Sequence, residues 1–409
     1  MKSHAELGPE VVKDPSPDHG RRRLLAGLVS SPIALIALPP LGAVLSAQDP
    51  PLSTPNSPFS RAFDFSSLRD WITPNDEFFL RSHFGVPPIA LSVYGTGSSS
   101  LEHTSTTPAT ASGISSWPLR ITGAVDRERT LALADLSALA SVEVVATLEC
   151  AGNLTGWGGV SNARWTGVRL GDVIRTAAVS ARAADVVLIG ADGGLDREAG
   201  VKAENFARAI PLKKALDSST ILALNMNGAP LPVAHGGPVR AIVPGWYGMD
   251  SVKWLREISL SREPFTGFYQ TERYYEARRS RAGAIQKTAL EQMRIKSQIA
   301  RPKRGGSVRA GQLVQIAGAA WGGNSEVAAV EVSVDGGAHW SAARLGLEQS
   351  SFSWRLWYYD WRPTETGTVE IAARARDVAG YQQPLYRDAS IITPYANNWV
   401  DRHTVVVTG

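Results

Sequence analysis

From Trp117 onward the apolar positions fall into short periodic runs, and the period changes along the chain. WPLRITGAV alternates apolar and polar residues, as a half-buried strand does. LALADLSAL has helical spacing, and VEVVATLEC is a β-branched run that ends at a cysteine. VRLGDVIRTAAV predicts a short helix, ADVVLIGAD a strand and AIPLKKAL another helix. ILALNMNGAPL reads as two strands about an Asn-Gly turn, hence a hairpin. Strands and helices mix without strict alternation, which predicts an α+β domain rather than a doubly wound sheet.

Past about residue 290 the pattern shifts. LVQIAGAAW, VAAVEVSVDGGAHW, FSWRLWYYDW, TVEIAARARDVAG and HTVVV are short strands separated by Gly, Asp-Gly or Pro turns. They predict an all-β immunoglobulin-like sandwich that lacks the inter-sheet cysteine pair. No internal repeat is present.

The N-terminus follows other rules. A polar leader ends in HGRRRLLAGL, followed by LVSSPIALIALPPLGAVLSA and then QDPPLSTPNSPFS. Paired Arg21 and Arg22, an apolar region and small residues up to Ala47 predict a twin-arginine export signal over 1–47, and so a periplasmic protein exported already folded. Pro32, Pro39 and Pro40 interrupt the apolar run and argue against a spanning helix. A Pro-rich linker at 48–60 leads into a domain over 61–290, with a low-complexity, solvated insertion at 96–116; the sandwich takes 291–409.

Hydrophobic content of 44% and charged content of 20% are those of a globular protein, and the net charge is only +4. No Lys/Arg-rich run is interleaved with aromatics, so nucleic acid is not an expected partner.

Four stretches carry candidate chemistry. These are Leu80-Arg81-Ser82-His83; the run ending at Cys150, followed by Arg164 and Trp165; HGGPVRAIVPGWYGMDSVKWL, with His235, Arg240, Ser251 and Lys253; and FYQTERYYEARR, with Tyr274 and Tyr275. Cys150 is the single cysteine of 409 residues, so an intrachain disulfide is impossible. It reads as a buried free thiol, as a nucleophile requiring a histidine base such as His83 or His235, or as a metal thiolate. No Cys/His spacing builds a four-ligand zinc site, so one thiolate suffices only where a cofactor supplies the other ligands. In the third stretch, His, Arg and Lys among glycines suit a phosphate or pyrophosphate, and equally describe a surface loop with scattered charge.

Together these stretches resemble the sulfite oxidase family of molybdenum enzymes. Its Cys-Ala-Gly-Asn appears as Cys150 to Asn153, its Ala-Arg-Trp-x-Gly-x-x-Leu as Ala163 to Leu170, and its His-Gly-x-Pro-Val-Arg…Ser-Val-Lys-Trp from His235 to Trp254. The C-terminal AWGG…VEVSVDGGAHW is similar to the family's immunoglobulin-like dimerisation domain. The resemblance covers roughly residues 60 to 409.

The resemblance implies molybdopterin with molybdenum, Cys150 being the single protein ligand of the metal. Leu80, Arg81, Ser82, His83, His235, Arg240, Ser251 and Lys253 would hold the cofactor, with Arg81 also offering charge to an oxyanion or sulfur substrate. Tyr274 best matches the family tyrosine that hydrogen-bonds beside the metal, with Tyr275 as the fallback, and Trp157 the tryptophan of the substrate pocket. It further implies a homodimer and oxidation of sulfite. Electrons would pass to an external carrier such as cytochrome c, since one cysteine excludes a Cys-x-x-Cys-His haem site in this chain.

The departures concern the substrate. Leu154 and Thr155 stand where the family has two arginines, ITPYANNW has no arginine before Asn397, the loop from Trp157 to Ala163 is short, and Ser82 replaces an Asn. An anion pocket short of two arginines opens an alternative, a reductase or oxidase of a less charged compound such as a sulfoxide. A cofactor-free exported binding protein is the reading from outside enzymology.

Overall fold

A computed structural model of the chain describes residues 60–94, 117–323, 325–348 and 350–409. The leader, nearly all of the Pro-rich linker and the 96–116 insertion lie outside the described residues.

The described residues of the first domain form two five-stranded sheets. One has the order Arg129–Leu131, Leu119–Gly123, Leu255–Ser261, Asp185–Gly190, Ala207–Pro211, antiparallel except where Leu119–Gly123 runs parallel to Leu255–Ser261. The other runs Ala229–Pro230, Ile221–Met226, Val160–Arg169, Ser141–Glu149, with Arg240–Ile242 also paired to Ile221–Met226. Short helices at Leu133–Ser137, Leu170–Arg175 and Leu212–Ala215 join them, making the domain α+β.

The Asn-Gly turn sits where the pattern placed it. Asn227 and Gly228 take φ of 52° and 78°, the paired left-handed conformation that closes a two-residue hairpin, and Ala229 pairs with Met226. AIPLKKAL differs from expectation. Ala207–Pro211 is a strand and only Leu212–Ala215 is helical, because Arg208, Ala209 and Ile210 are buried between the flanking elements and Pro211 caps the helix that follows.

The second domain is a sandwich without a helix among its described residues. One sheet orders Lys296–Arg301, Val314–Trp321, Arg355–Trp361, Arg344–Leu345; the other orders Ser307–Arg309, Asp401–Thr408, Gly367–Asp377, Val327–Ser333, Ser341–Ala342. Its inner faces bury Ile316, Val330, Trp357, Ile371 and Val405 against one another.

The two domains share a core. Trp321, Trp354 and Leu356 of the sandwich pack into the hydrophobic cluster of the first domain. Thr147 N–H donates to Phe352 O at 2.9 Å, and Trp354 N–H donates to Thr147 Oγ1 at 2.7 Å. Deeper in, Lys296 Nζ lies 2.9 Å from Glu149 Oε1 and donates to Asn153 O at 2.8 Å. Asn153 Nδ2 donates to Glu149 Oε1 and Trp321 Nε1 to Glu149 Oε2, each at 2.9 Å. Both Glu149 oxygens are therefore satisfied, and Lys296 is fully buried.

Removing one partner leaves an uncompensated buried charge. Lys296→Met is expected to destabilise the protein by about 3–5 kcal/mol in urea unfolding, and adding Glu149→Gln to recover much of that loss.

Candidate active site

The strand Ser141–Glu149 delivers Cys150 into a turn that closes on itself. Cys150 N–H donates to Gly159 O at 2.8 Å, and Asn153 N–H donates to Cys150 O at 2.8 Å. Gly159 N–H in turn donates to Asn153 Oδ1 at 3.0 Å. Cys150 lines a cavity of about 720 Å³, measured out to its open mouth, together with Leu80, Arg81, Ser82, His83, Asp192, His235, Arg240, Ser251, Lys253 and Tyr274. Residues as distant in sequence as Leu80 and Tyr274 thus meet in one place.

Each group is held for a reason visible in its neighbours. Leu80 pairs with Arg61 through two backbone hydrogen bonds, fixing the stretch that carries Arg81 and His83. Arg240 donates to His235 O and Ser251 O, both at 2.7 Å, and its guanidinium stacks 5.1 Å from the Trp165 ring. His235 Nε2 donates to Asn75 O at 2.8 Å, which leaves Nδ1 as the acceptor. Gly236 takes φ of 103° and lies so close to Lys253 that a Cβ would sit 2.8 Å from Lys253 Cβ. Only glycine allows that approach. Lys253 Nζ rests 4.2 Å from the Trp254 ring.

Burial dominates the electrostatics. It pushes the Cys150 thiol up, with the Arg81 guanidinium working against it, so the sulfur stays protonated until a metal or further cation arrives. It drives Asp192 up and Lys253 down, each charge partly restoring the other. His235 is pushed down to about 3 by burial, and His83 is lowered by burial as well. Both rings are neutral near pH 7.

His83 stands between Asp196 and Tyr274. Its Nδ1 lies 2.8 Å from Asp196 Oδ2 and its Nε2 2.7 Å from Tyr274 Oη. Tyr269 Oη donates to the same Asp196 oxygen at 2.9 Å. Burial works to raise Asp196, but the bonds from His83, Ala199 and Tyr269 outweigh it and hold the carboxyl well below its usual range. An ionised Asp196 fixes the proton on His83 Nδ1, so His83 Nε2 accepts from the Tyr274 hydroxyl. Buried Arg208 braces the segment before Tyr274: it pairs with Asp250 at 2.8 Å and donates to Tyr269 O and Leu290 O at 2.5 and 3.0 Å.

Two expected residues stand elsewhere. Trp157 is not among the cavity's lining residues; its ring folds back over Gly159, where an added Cβ would fall 2.6 Å from Trp157 Cζ3. Arg164 faces away and pairs with Glu143, because its neighbour Trp165 takes the inward position of an alternating strand. Of the two tyrosines, Tyr274 lines the cavity and Tyr275 stacks against Lys287 at 4.4 Å.

Asp192, Asp196, Glu198, Arg208 and Arg273 had no place in the sequence expectations. The stretch ADGGLDREAG does put three carboxylates in a Gly-rich turn, which was the one signal available for the first three.

The donor set fits a phosphorylated pterin. Ser82 Oγ, Arg240 Nε and Asp192 Oδ1 are buried without a partner, a costly condition unless a ligand supplies one. Two donors and one carboxylate acceptor suit a group carrying anionic oxygens and ring N–H groups. Among the described residues no cluster of three or more His, Cys, Asp or Glu is placed to hold a metal, so a metal on Cys150 needs ligands from the cofactor itself.

The buried His235 has a consequence for stability. Above about pH 6.5 it is neutral folded and unfolded, and contributes nothing; below that the unfolded chain takes up a proton that the native state refuses until about pH 3. Stability therefore falls as pH falls across this window, by about 1.4 kcal/mol per pH unit from this group. His235→Gln apoprotein is expected to show a correspondingly shallower decline between pH 6 and 4 in urea titrations.

Comparison with known proteins matches residues 104–269 to the family model described as "Oxidoreductase molybdopterin binding domain" and residues 287–408 to "Mo-co oxidoreductase dimerisation domain". Sulfite oxidase of Gallus gallus is 32% identical over 77% of this chain and 68% of that protein. Mitochondrial sulfite oxidase of Rattus norvegicus is 32% identical over 77% of this chain, which spans 57% of that longer protein. Among solved structures, the sulfane dehydrogenase SoxCD from Paracoccus pantotrophus has the same fold, with a TM-score of 0.69 over 88% of this chain and 86% of that one at 24% identity. With the cysteine turn, the unpartnered polar groups and the sandwich in place, the chain belongs to the sulfite oxidase family of molybdopterin-dependent oxidoreductases.

Proposed function

We propose that the protein is an exported oxygen-atom-transfer enzyme acting at sulfur, oxidising sulfite or a related sulfur compound and passing electrons to a separate carrier such as cytochrome c. The observation that carries this reading is the free Cys150 thiol in a cavity that also gathers Arg81, Tyr274 and the unpartnered Ser82, Arg240 and Asp192. Cys150 would ligate molybdenum, while Ser82, Asp192, His235, Arg240, Ser251 and Lys253 would hold the pterin and its phosphate. Bound molybdopterin supplies two-electron oxygen-atom exchange and one-electron steps to the carrier.

The chain's own groups then bind and orient. Arg81 brings fixed positive charge to the reacting centre in a low-dielectric cavity. Tyr274, bonded to His83 and through it to Asp196, holds a proton at Oη beside that centre. Homodimerisation would use the sandwich, and the twin-arginine leader would carry the folded holoprotein to the periplasm. A second reading, turnover of a less charged substrate such as a sulfoxide, is favoured by the cavity lining, whose arginines are Arg81, already paired with Glu198, and Arg240, bonded to backbone carbonyls. Leu154 and Thr155 do not line it, and Thr155 Oγ1 donates to Trp399 O at 3.1 Å.

Protein made in a molybdopterin-competent host is expected to contain about one molybdenum per chain, and Cys150→Ser to lose it, by metal analysis. Absence of molybdenum from the wild-type preparation would overturn the reading in favour of a binding protein. Tyr274→Phe is expected to retain the metal and to lower kcat by roughly 100-fold in steady-state assays with sulfite and cytochrome c, or with a sulfoxide and reduced dye.

A further inference from the structure

The guanidinium groups beside the cavity already hold an anion, and it belongs to the protein. Arg81 Nη2 lies 2.6 Å from both carboxylate oxygens of Glu198, and its Nη1 donates to Ser60 Oγ at 3.0 Å. Arg273, from the turn just before Tyr274, reaches Glu198 Oε2 at 2.9 Å and keeps a buried Nε without a partner. All three side chains are partly exposed: 16% for Arg81, 28% for Glu198 and 25% for Arg273. The carboxylate is therefore reachable by a solute entering from solvent. The charges of Arg81, Arg273 and Glu198 all bear on the Tyr395 hydroxyl, whose ring sits 5.3 Å from that of Tyr274. Arg81 and Glu198 act with opposite sign on the Cys150 thiol. Arg81, which lines the cavity, and Glu198 thus stand within electrostatic reach of the Cys150 sulfur, and Arg273 meets Arg81 at the same carboxylate.

We infer that Glu198 is a specificity-determining residue: its carboxylate occupies the Arg81–Arg273 anion site and disfavours dianionic substrates against sulfur compounds without net charge. An entering oxyanion finds the terminal nitrogens of Arg81 engaged. It must either displace a doubly held carboxylate or sit beside a like charge. A neutral substrate meets neither obstacle, because it makes no demand on the guanidinium groups. This inference rests on the oxygen-atom-transfer reading for its substrate class, yet the occupancy of the anion site can be read without turnover.

The test uses molybdenum-loaded protein and two variants, Glu198→Gln and Glu198→Ala, at a partly exposed position where neither opens a core cavity. Calorimetric titration with sodium sulfate is expected to show at least tenfold tighter binding in Glu198→Ala than in wild type, with Glu198→Gln shifted the same way. In steady-state assays the KM for sulfite is expected to fall at least tenfold in Glu198→Ala, while the KM for a neutral sulfoxide stays within threefold. Sulfate affinity changing by less than tenfold in both variants overturns the inference. Failure of the underlying reading looks different: no sulfur compound is turned over by any of the three proteins, while the sulfate titration still reports on Glu198.

Discussion

The buried Glu149–Lys296 pair is the constraint on which the site depends. Glu149 is the residue before the cysteine, and Lys296 opens the first strand of the sandwich. A carboxylate and an ammonium taken this far from water are tolerated only when every lone pair and proton finds a partner. Here Asn153 Nδ2 and Trp321 Nε1 donate to the two Glu149 oxygens, and Lys296 also donates to the Asn153 carbonyl. The same Asn153 caps the turn that presents Cys150. The C-terminal domain therefore sets the position of the Cys150 sulfur although none of its residues lines the cavity.

Around that fixed sulfur the protein concentrates charge where water is scarce. Arg240 is held with its Nε unpartnered, and Asp192 is buried with one oxygen idle. Folding keeps these groups in place only because backbone carbonyls, the Trp165 and Trp254 rings and the close passage of Gly236 immobilise them. Such a preorganised, incompletely satisfied set suits a large polar ligand, whose binding supplies the missing hydrogen bonds. Arg81 and Arg273 differ in that their terminal nitrogens are answered by a carboxylate of the protein itself, Glu198.

Much of the fold and of the cofactor side was legible in the chain. β-branched alternation, the Asn-Gly turn and the Asp-Gly-rich C-terminal strands are local signals, set by residue geometry over a few positions. Residues that line the cavity travel in short contiguous motifs, so Leu80 to His83, Cys150 and the stretch from His235 to Lys253 could be picked out together. AIPLKKAL misled because its first half is a strand buried between neighbours, and burial on both sides erases the alternation that distinguishes strand from helix. Trp157 is not a lining residue, and its ring lies over Gly159, a placement that no local pattern signals.

By itself the sequence determined an α+β domain followed by a sandwich, one cysteine at a strand end and a cation-rich Gly loop able to hold a phosphate. These depend on propensity, period and motif, which are properties of neighbouring residues. Only the tertiary structure decided that Lys296 neutralises Glu149, that Asp196 orients His83 toward Tyr274, and that Glu198 sits on Arg81 and Arg273. Those are pairings across long stretches of chain between charged residues common on any surface. Nothing in their local sequence distinguishes a buried partner from a solvated one until the sheets bring them together.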